Sequence, residues 1–194
     1  MFETVRVSRN KNLDESKKDT FINDMSEHIE YILNSKKNKD KKVVFRLHES
    51  GDFYSQNYIN KWIEIADKFK DRDIIFQAYT KSIGYLKDIA LKDINIKILF
   101  SIMPDTDDKS IQLAKEKEMS TFEFIPHDSN DEFDGFICRG ACNECMACYT
   151  QSYKRIGVQE HGAGIKGKKK HSLNGKFNDY KDSNYWKNYN RKSS

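Results

Sequence analysis

Val43-Val44-Phe45-Arg46-Leu47-His48 is a short β-prone run, with Lys-rich sequence before it and Ser50-Gly51 after it. The chain then changes period. From Gln56 to Phe69 the apolar residues Tyr58, Ile59, Trp62, Ile63, Ala66 and Phe69 recur every three or four positions, so one face of a helix is apolar, and Ser55 stands where an N-cap belongs. Ile74 to Tyr79 returns to a strand pattern. This strand–helix–strand order, with no hairpin turn between the two strands, is the signature of a parallel βαβ unit.

The rhythm continues in both directions. Downstream, Ser82 to Leu91 reads as a weak helix, Ile96 to Ile102 as a third strand, Asp107 to Glu118 as a short polar helix, and Thr121 to Ile125 as a fourth strand closed by Pro126. Upstream, Thr20 to Leu33 is an amphipathic helix with Phe21, Ile22, Met25, Ile29, Ile32 and Leu33 on one face. Thr4-Val5-Arg6-Val7-Ser8 alternates and reads as one more strand. The expected fold is α/β: a parallel sheet of four or five strands forming a partial barrel, followed by a cysteine-rich loop and a basic tail. The division predicted is residues 1–149 for the α/β domain and 150–194 for the tail.

Ligands of such sheets gather at the carboxyl ends of the strands. Here those ends are His48 to Asp52, Tyr79 to Lys81, Ser101 to Met103 and Pro126 to Asp128, all rich in polar groups. His48, Glu49 and Asp52 allow either acid–base work or a hydrogen-bonded loop that caps the next helix.

All 4 cysteines of the 194-residue chain lie between Cys138 and Cys148. A disulfide framework closes large loops, which cysteines this close cannot do; crowded thiolates in a reducing compartment read as metal ligands. The pattern Cys138-x3-Cys142-x2-Cys145-x2-Cys148 lacks the long spacer between the two knuckles of a typical zinc site. It suits a 4Fe-4S cluster, with zinc as the alternative metal. Gly140, Ala141 and Ala147 allow close backbone approach, and Arg139 and Lys154 are expected to offset the site's negative charge. His127 and Asp128 stand just ahead of the loop.

Charge divides the chain. From Thr150 onward it carries 11 of the 34 Lys+Arg and 3 of the 30 Asp+Glu, so the end is net +8 and the remainder net −4. Lys166, Lys168, Lys169 and Lys170 are followed by Tyr180, Tyr185, Trp186 and Tyr189, a composition that fits single-stranded nucleic acid as well as a solvated extension. No apolar run approaches the roughly 20 residues of a membrane span, and Met1 to Asn10 lack a secretory h-region. A cytoplasmic protein is expected, with a homo-oligomer or a partner chain as further possibilities.

The stretch from Arg46 to Trp62, together with Ala78-Tyr-Thr-Lys-Ser82, resembles a phage-associated family called gene-product-eighty-eight, which has no established function. The resemblance runs from about Val5 to Cys148. It implies a phage or prophage origin, hence the cytoplasm of an infected or lysogenic host, and relatives that continue upstream with further cysteines. More distantly, the strand followed by Ser50-Gly51-Asp52 and a helix is similar to the second strand of radical S-adenosylmethionine enzymes. That likeness implies cofactor contacts at Ser50, Gly51 and Asp52. It departs in two respects: those enzymes carry their cysteines early, whereas none here precedes Cys138, and they leave one iron open, whereas here Cys148 supplies a fourth thiolate. No catalytic residue is assigned.

Overall fold

The computed structural model describes residues 3–126, 132–138 and 140–160. Helices α1 (Glu3–Lys17) and α2 (Phe21–Asn34) precede β1 (Val43–Arg46), and α3 (Gln56–Lys68) links β1 to β2 (Ile74–Thr80). Two 3-10 turns lead to β3 (Ile96–Ile102), and α4 (Asp108–Glu116) leads to β4 (Ser120–Ile125). After β5 (Phe136–Ile137) come two single helical turns, α5 (Cys142–Cys145) and α6 (Ala147–Thr150), and then β6 (Arg155–Gln159). All six strands are parallel, in the order β1-β2-β3-β4-β6-β5, and the sheet curls into a half barrel.

Local signals explain most element boundaries. Ser55 caps α3 by accepting the Tyr58 N–H at 3.1 Å, and Asp107 caps α4 by accepting that of Ser110 at 2.9 Å. Two expectations fail. The stretch Thr4 to Ser8 lies inside α1 rather than in a strand. Its alternating valines have no sheet face to fill: Val5 is 38% and Val7 56% exposed. The helix is instead fastened at its far end, where the Lys61 ammonium donates to the carbonyls of Ser16, Lys17 and Lys18. The helix expected over Ser82 to Leu91 is replaced by 3-10 turns at Ile83–Leu86 and Leu91–Asp93. Gly84 weakens an α-helix there, while Ile83 and Leu86, three apart and both buried, align on one side of a 3-10 turn.

Strand alternation builds two cores. Phe45, Ile74, Phe76, Ala78, Ile96, Ile98 and Phe100 face α2, α3 and α4, and pack with Phe21, Ile29, Ile59, Trp62 and Ile65. Tyr79, Leu99, Phe122, Ile156 and Phe136 face the other way and meet the cysteine segment. The strand order explains this. From β1 to β4 the chain steps in one direction, and right-handed crossovers put every helix on the same side. Because β6 inserts between β4 and β5, the β5–β6 connection steps backward. The same handedness then carries it across the opposite, inner face.

β6 also changes the reading of the segment after Thr150. Arg155–Gln159 pairs with both β4 and β5, so this part of the expected tail is sheet. Its place beside β4 is reinforced by an ion pair, with Arg155 Nε 2.9 Å from Glu123 Oε1 and Nη2 2.8 Å from Oε2. Burial pushes the Glu123 carboxyl up, but the hydrogen bonds from Arg155 and Thr121 outweigh it and hold the group below its usual range. The sheet is therefore one or two strands larger than the repeat of helices indicates. No described helix is long and apolar enough to cross a membrane.

Candidate metal centre

The four cysteines sit on a chain that turns repeatedly. Cys138 N donates to Gly157 O at 2.7 Å, which holds the start of the segment to β6. Gly140 follows with φ 78°, a left-handed conformation that glycine adopts without the Cβ clash of other residues. α5 then presents Cys142 and Cys145 from one turn. Met146 breaks the helix with φ 53°, and α6 starts at once with Ala147 and Cys148. A left-handed non-glycine residue costs about 1 kcal/mol or more. Here the Met146 N–H still reaches Cys142 O, and Met146 O accepts the Thr150 hydroxyl at 3.1 Å. The kink redirects the chain so that Cys148 faces the same space as Cys142 and Cys145.

That space is one cavity. It is lined by all four cysteines together with Ala141, Met146, Tyr149, Phe136 and Ile156, and its volume is about 10 Å3, room for about one water. None of the four forms a disulfide: Cys142 is exposed, Cys138 and Cys145 half-buried, and Cys148 buried. Among the described residues no three His, Cys, Asp or Glu side chains are grouped tightly enough to hold a metal ion as they stand. The sulfurs share a cavity without closing on a single point.

The inner face of the sheet supplies neighbours that the spacing of the cysteines did not reveal. Tyr79, the penultimate residue of β2, packs with Cys138, Cys145 and Cys148, and Tyr149 lines the cavity beside Cys142. The Arg46 guanidinium lies over the Tyr79 ring, 4.8 Å from its centroid, and Arg46 Nε donates to His48 O at 2.9 Å. Burial pushes the Cys148 thiol up to about 12; the hydrogen bond from Tyr79 opposes this, and the other three cysteines add to it. Burial likewise raises the hydroxyls of Tyr79 and Tyr149. Tyr79 was legible as a strand-end residue and Arg46 as part of the first strand, but only the β5–β6 crossover brings the cysteines to them.

Other candidates are placed differently. Lys154 donates to Glu118 O at 2.8 Å, at the turn after α4, and so serves that turn rather than the cysteine site. Ser50, Gly51 and Asp52 form the β1–α3 turn, where Gly51 has φ 92°. The Asp52 carboxylate accepts from Phe53 N at 2.7 Å, Thr80 Oγ1 at 2.6 Å and Lys81 N at 2.6 Å. It braces the ends of two strands. His48 is buried, with Nε2 3.2 Å from the Tyr58 hydroxyl and the Phe53 ring packed edge-on, so it belongs to the loop-capping arrangement. Arg139, His127, Asp128 and the Lys- and Tyr-rich residues 161–194 lie outside the described residues.

Residues 1–135 match the family model described as Gene product 88. The chain belongs to that family. Within the Gene product 88 family, the Gene 88 protein of Mycobacterium phage D29 is 30% identical over 138 residues, covering 61% of this chain and 55% of the phage protein. The chain thus spans about half the length of that relative. The model match takes in the motifs at the ends of β1 and β2 and stops ahead of Cys138, so it is shorter than the resemblance expected to reach Cys148. No solved structure matches.

Proposed function

We propose that this Gene product 88 protein is an iron–sulfur protein whose Cys138, Cys142, Cys145 and Cys148 hold a 4Fe-4S cluster on the inner face of the half barrel. The observation that carries the reading is that four cysteines from one short segment, none of them in a disulfide, line a single cavity. Thiolates are soft donors suited to zinc, copper(I) or iron–sulfur centres. A zinc ion draws its sulfurs to about 2.3 Å from one point, whereas a four-iron cube takes one thiolate at each corner. The Cys138-x3-Cys142-x2-Cys145-x2-Cys148 spacing, without the long spacer between zinc knuckles, favours the larger group. When bound, such a cluster exchanges single electrons at a potential set by charge, burial and hydrogen bonds to sulfur.

The protein's own part in this is to gather the donors and shield them. Phe136, Ala147 and Ile156 give the cavity an apolar lining, and Arg46 stands nearby as a cation on the same face. Four cysteines supply all four corners, which leaves none for S-adenosylmethionine; the filled hydrogen-bonding of Asp52 also speaks against that carboxylate pairing with the cofactor's amino group. A redox or structural role is therefore favoured over radical chemistry.

Metal analysis of anaerobically purified protein tests the reading. The expected product is brown, holds about four irons and four sulfides per chain, and bleaches in air. Replacing the four cysteines by serine abolishes the colour. Colourless protein with stoichiometric zinc would overturn the cluster and favour a zinc module; nucleic-acid binding that weakens steeply with salt would extend that alternative to the basic residues 161–194.

A further inference from the structure

We infer that Tyr79 and Tyr149 are positioning residues that clasp the cysteine centre, and that their hydroxyls, backed by Arg46, set its reduction potential. The inference rests on the cluster reading above and goes beyond it to the residues that tune the site.

The backbone fixes the direction of Tyr79. Its Cα is the partner of Leu99 in the β2–β3 ladder, and Leu99 is fully buried on the inner face. The Tyr79 side chain therefore points at the cysteine segment, with the Phe122 ring 4.8 Å away on one flank. For packing alone phenylalanine would serve here, since a buried hydroxyl is costly unless it finds a partner. Cys148 packs in the same inner cluster as Tyr79 and is the polar neighbour available to that hydroxyl. Tyr149 repeats the arrangement from the other side. It stands one residue beyond Cys148 on α6 and lines the cavity together with Cys142 of α5. Two phenols thus flank sulfurs that belong to different helical turns, on either side of the kink at Met146.

Arg46 completes the group. Its Nε is held by His48 O, which orients the guanidinium against the Tyr79 ring, and among the described residues its Nη1 and Nη2 meet no acceptor. Its charge is therefore not cancelled by a neighbouring carboxylate. Hydrogen bonds to cluster sulfurs and nearby positive charge both favour the more negative, reduced state. Removing either lowers the potential.

The test compares Tyr79→Phe, Tyr149→Phe and Arg46→Gln with the parent after anaerobic reconstitution, by iron and sulfide content and by the midpoint potential from spectroelectrochemical titration. The expected result is unchanged cluster content with each tyrosine variant shifted to more negative potential. A tenfold change in the oxidised-to-reduced ratio corresponds to about 59 mV for one electron, and Arg46→Gln should move in the same direction by less. Loaded variants with the parent potential would show that the tyrosines only pack, and would sink this inference while leaving the cluster intact. A folded Tyr79→Phe chain that holds no cluster also overturns the tuning role, because the hydroxyl is then needed for loading. Should Tyr79→Phe not fold, Tyr149→Phe, whose ring is half-buried on the segment itself, decides the matter. A parent protein that takes up no iron–sulfur cluster sinks both readings together.

Discussion

Thr80 donates its hydroxyl to the Asp52 carboxylate at 2.6 Å, joining the turn after β1 to the last residue of β2 across 28 positions of sequence. The same carboxylate takes the Lys81 and Phe53 N–H groups, and Thr80 Oγ1 in turn accepts the Ser82 N–H at 2.9 Å. The two stretches through which the chain resembles its family are thus parts of one hydrogen-bonded brace. Asp52 acts first on stability.

Asp52→Ala leaves three donors without their acceptor, partly accessible to water, and should lower stability by about 2 kcal/mol. Asp52→Asn keeps one acceptor oxygen and should lose less. Urea denaturation checks this, through a reduced midpoint at unchanged m-value. A midpoint equal to the parent's for Asp52→Ala would mean that the brace contributes nothing and that the carboxylate is retained for a ligand.

Lys61 is a buried ammonium whose three acceptors are the carbonyls at the end of α1. Lys61→Met removes all three hydrogen bonds while keeping most of the apolar stem. The amides of residues 3–17 should then exchange with solvent about tenfold faster or more, while those of β2 and β3 change little, because α1 opens as a local unit. Equal acceleration in both regions would show that α1 is an integral part of the global unfolding unit.

His48 should make stability dependent on pH. Burial holds it below its usual range, Asp52 partly opposes this, and Arg46 reinforces it. Its ring lies against Phe53 and Tyr58, and its Nδ1 has no hydrogen-bond partner. A depressed folded-state value means that the unfolded chain binds the proton more readily. The contribution is thus fully present above the unfolded value of about 6.5 and is lost as the pH falls through the folded value. Between pH 7.5 and 5.5 the denaturation midpoint of the parent should fall more than that of His48→Gln. Parallel declines would exclude His48 as the source.

In metal-free protein the cysteines should differ sharply toward iodoacetamide. Cys142 is exposed, whereas Cys148 is buried and its thiol is pushed up to about 12. Since the thiolate is the reactive form, Cys142 should be labelled first at pH 8 and Cys148 last, by at least about tenfold. Mass spectrometry of timed digests gives the order. Loading the metal centre should protect all four, and protection of only a subset would name the true ligands.

Much of the body was legible before any coordinates. The helix face of α3 was read from a 3.6-residue period and lies buried largely as that period indicates, through Tyr58, Ile59, Trp62, Ala66 and Phe69. The four expected strands also form, because each carries a continuous β-prone run. β5 and β6 escaped notice for physical reasons. Phe136–Ile137 is too short to show any period, and Arg155–Gln159 has Gly157 at its centre, where a Cβ would meet Ile125 and Phe133 within 3 Å. Val5 and Val7 misled in the opposite sense, since alternation marks a strand only where a sheet edge is available to receive it.

Sequence alone determined that four thiols lie together, since eleven consecutive residues cannot separate them far, and that a βα repeat precedes them, since periodicity is a local property. Which face of the sheet the thiols occupy was decided by tertiary structure. The insertion of β6 between β4 and β5 reverses the last crossover and sends it to the inner face. Strand order depends on contacts between residues far apart in the chain, and those same contacts bring Arg46 and Tyr79 to the cysteines.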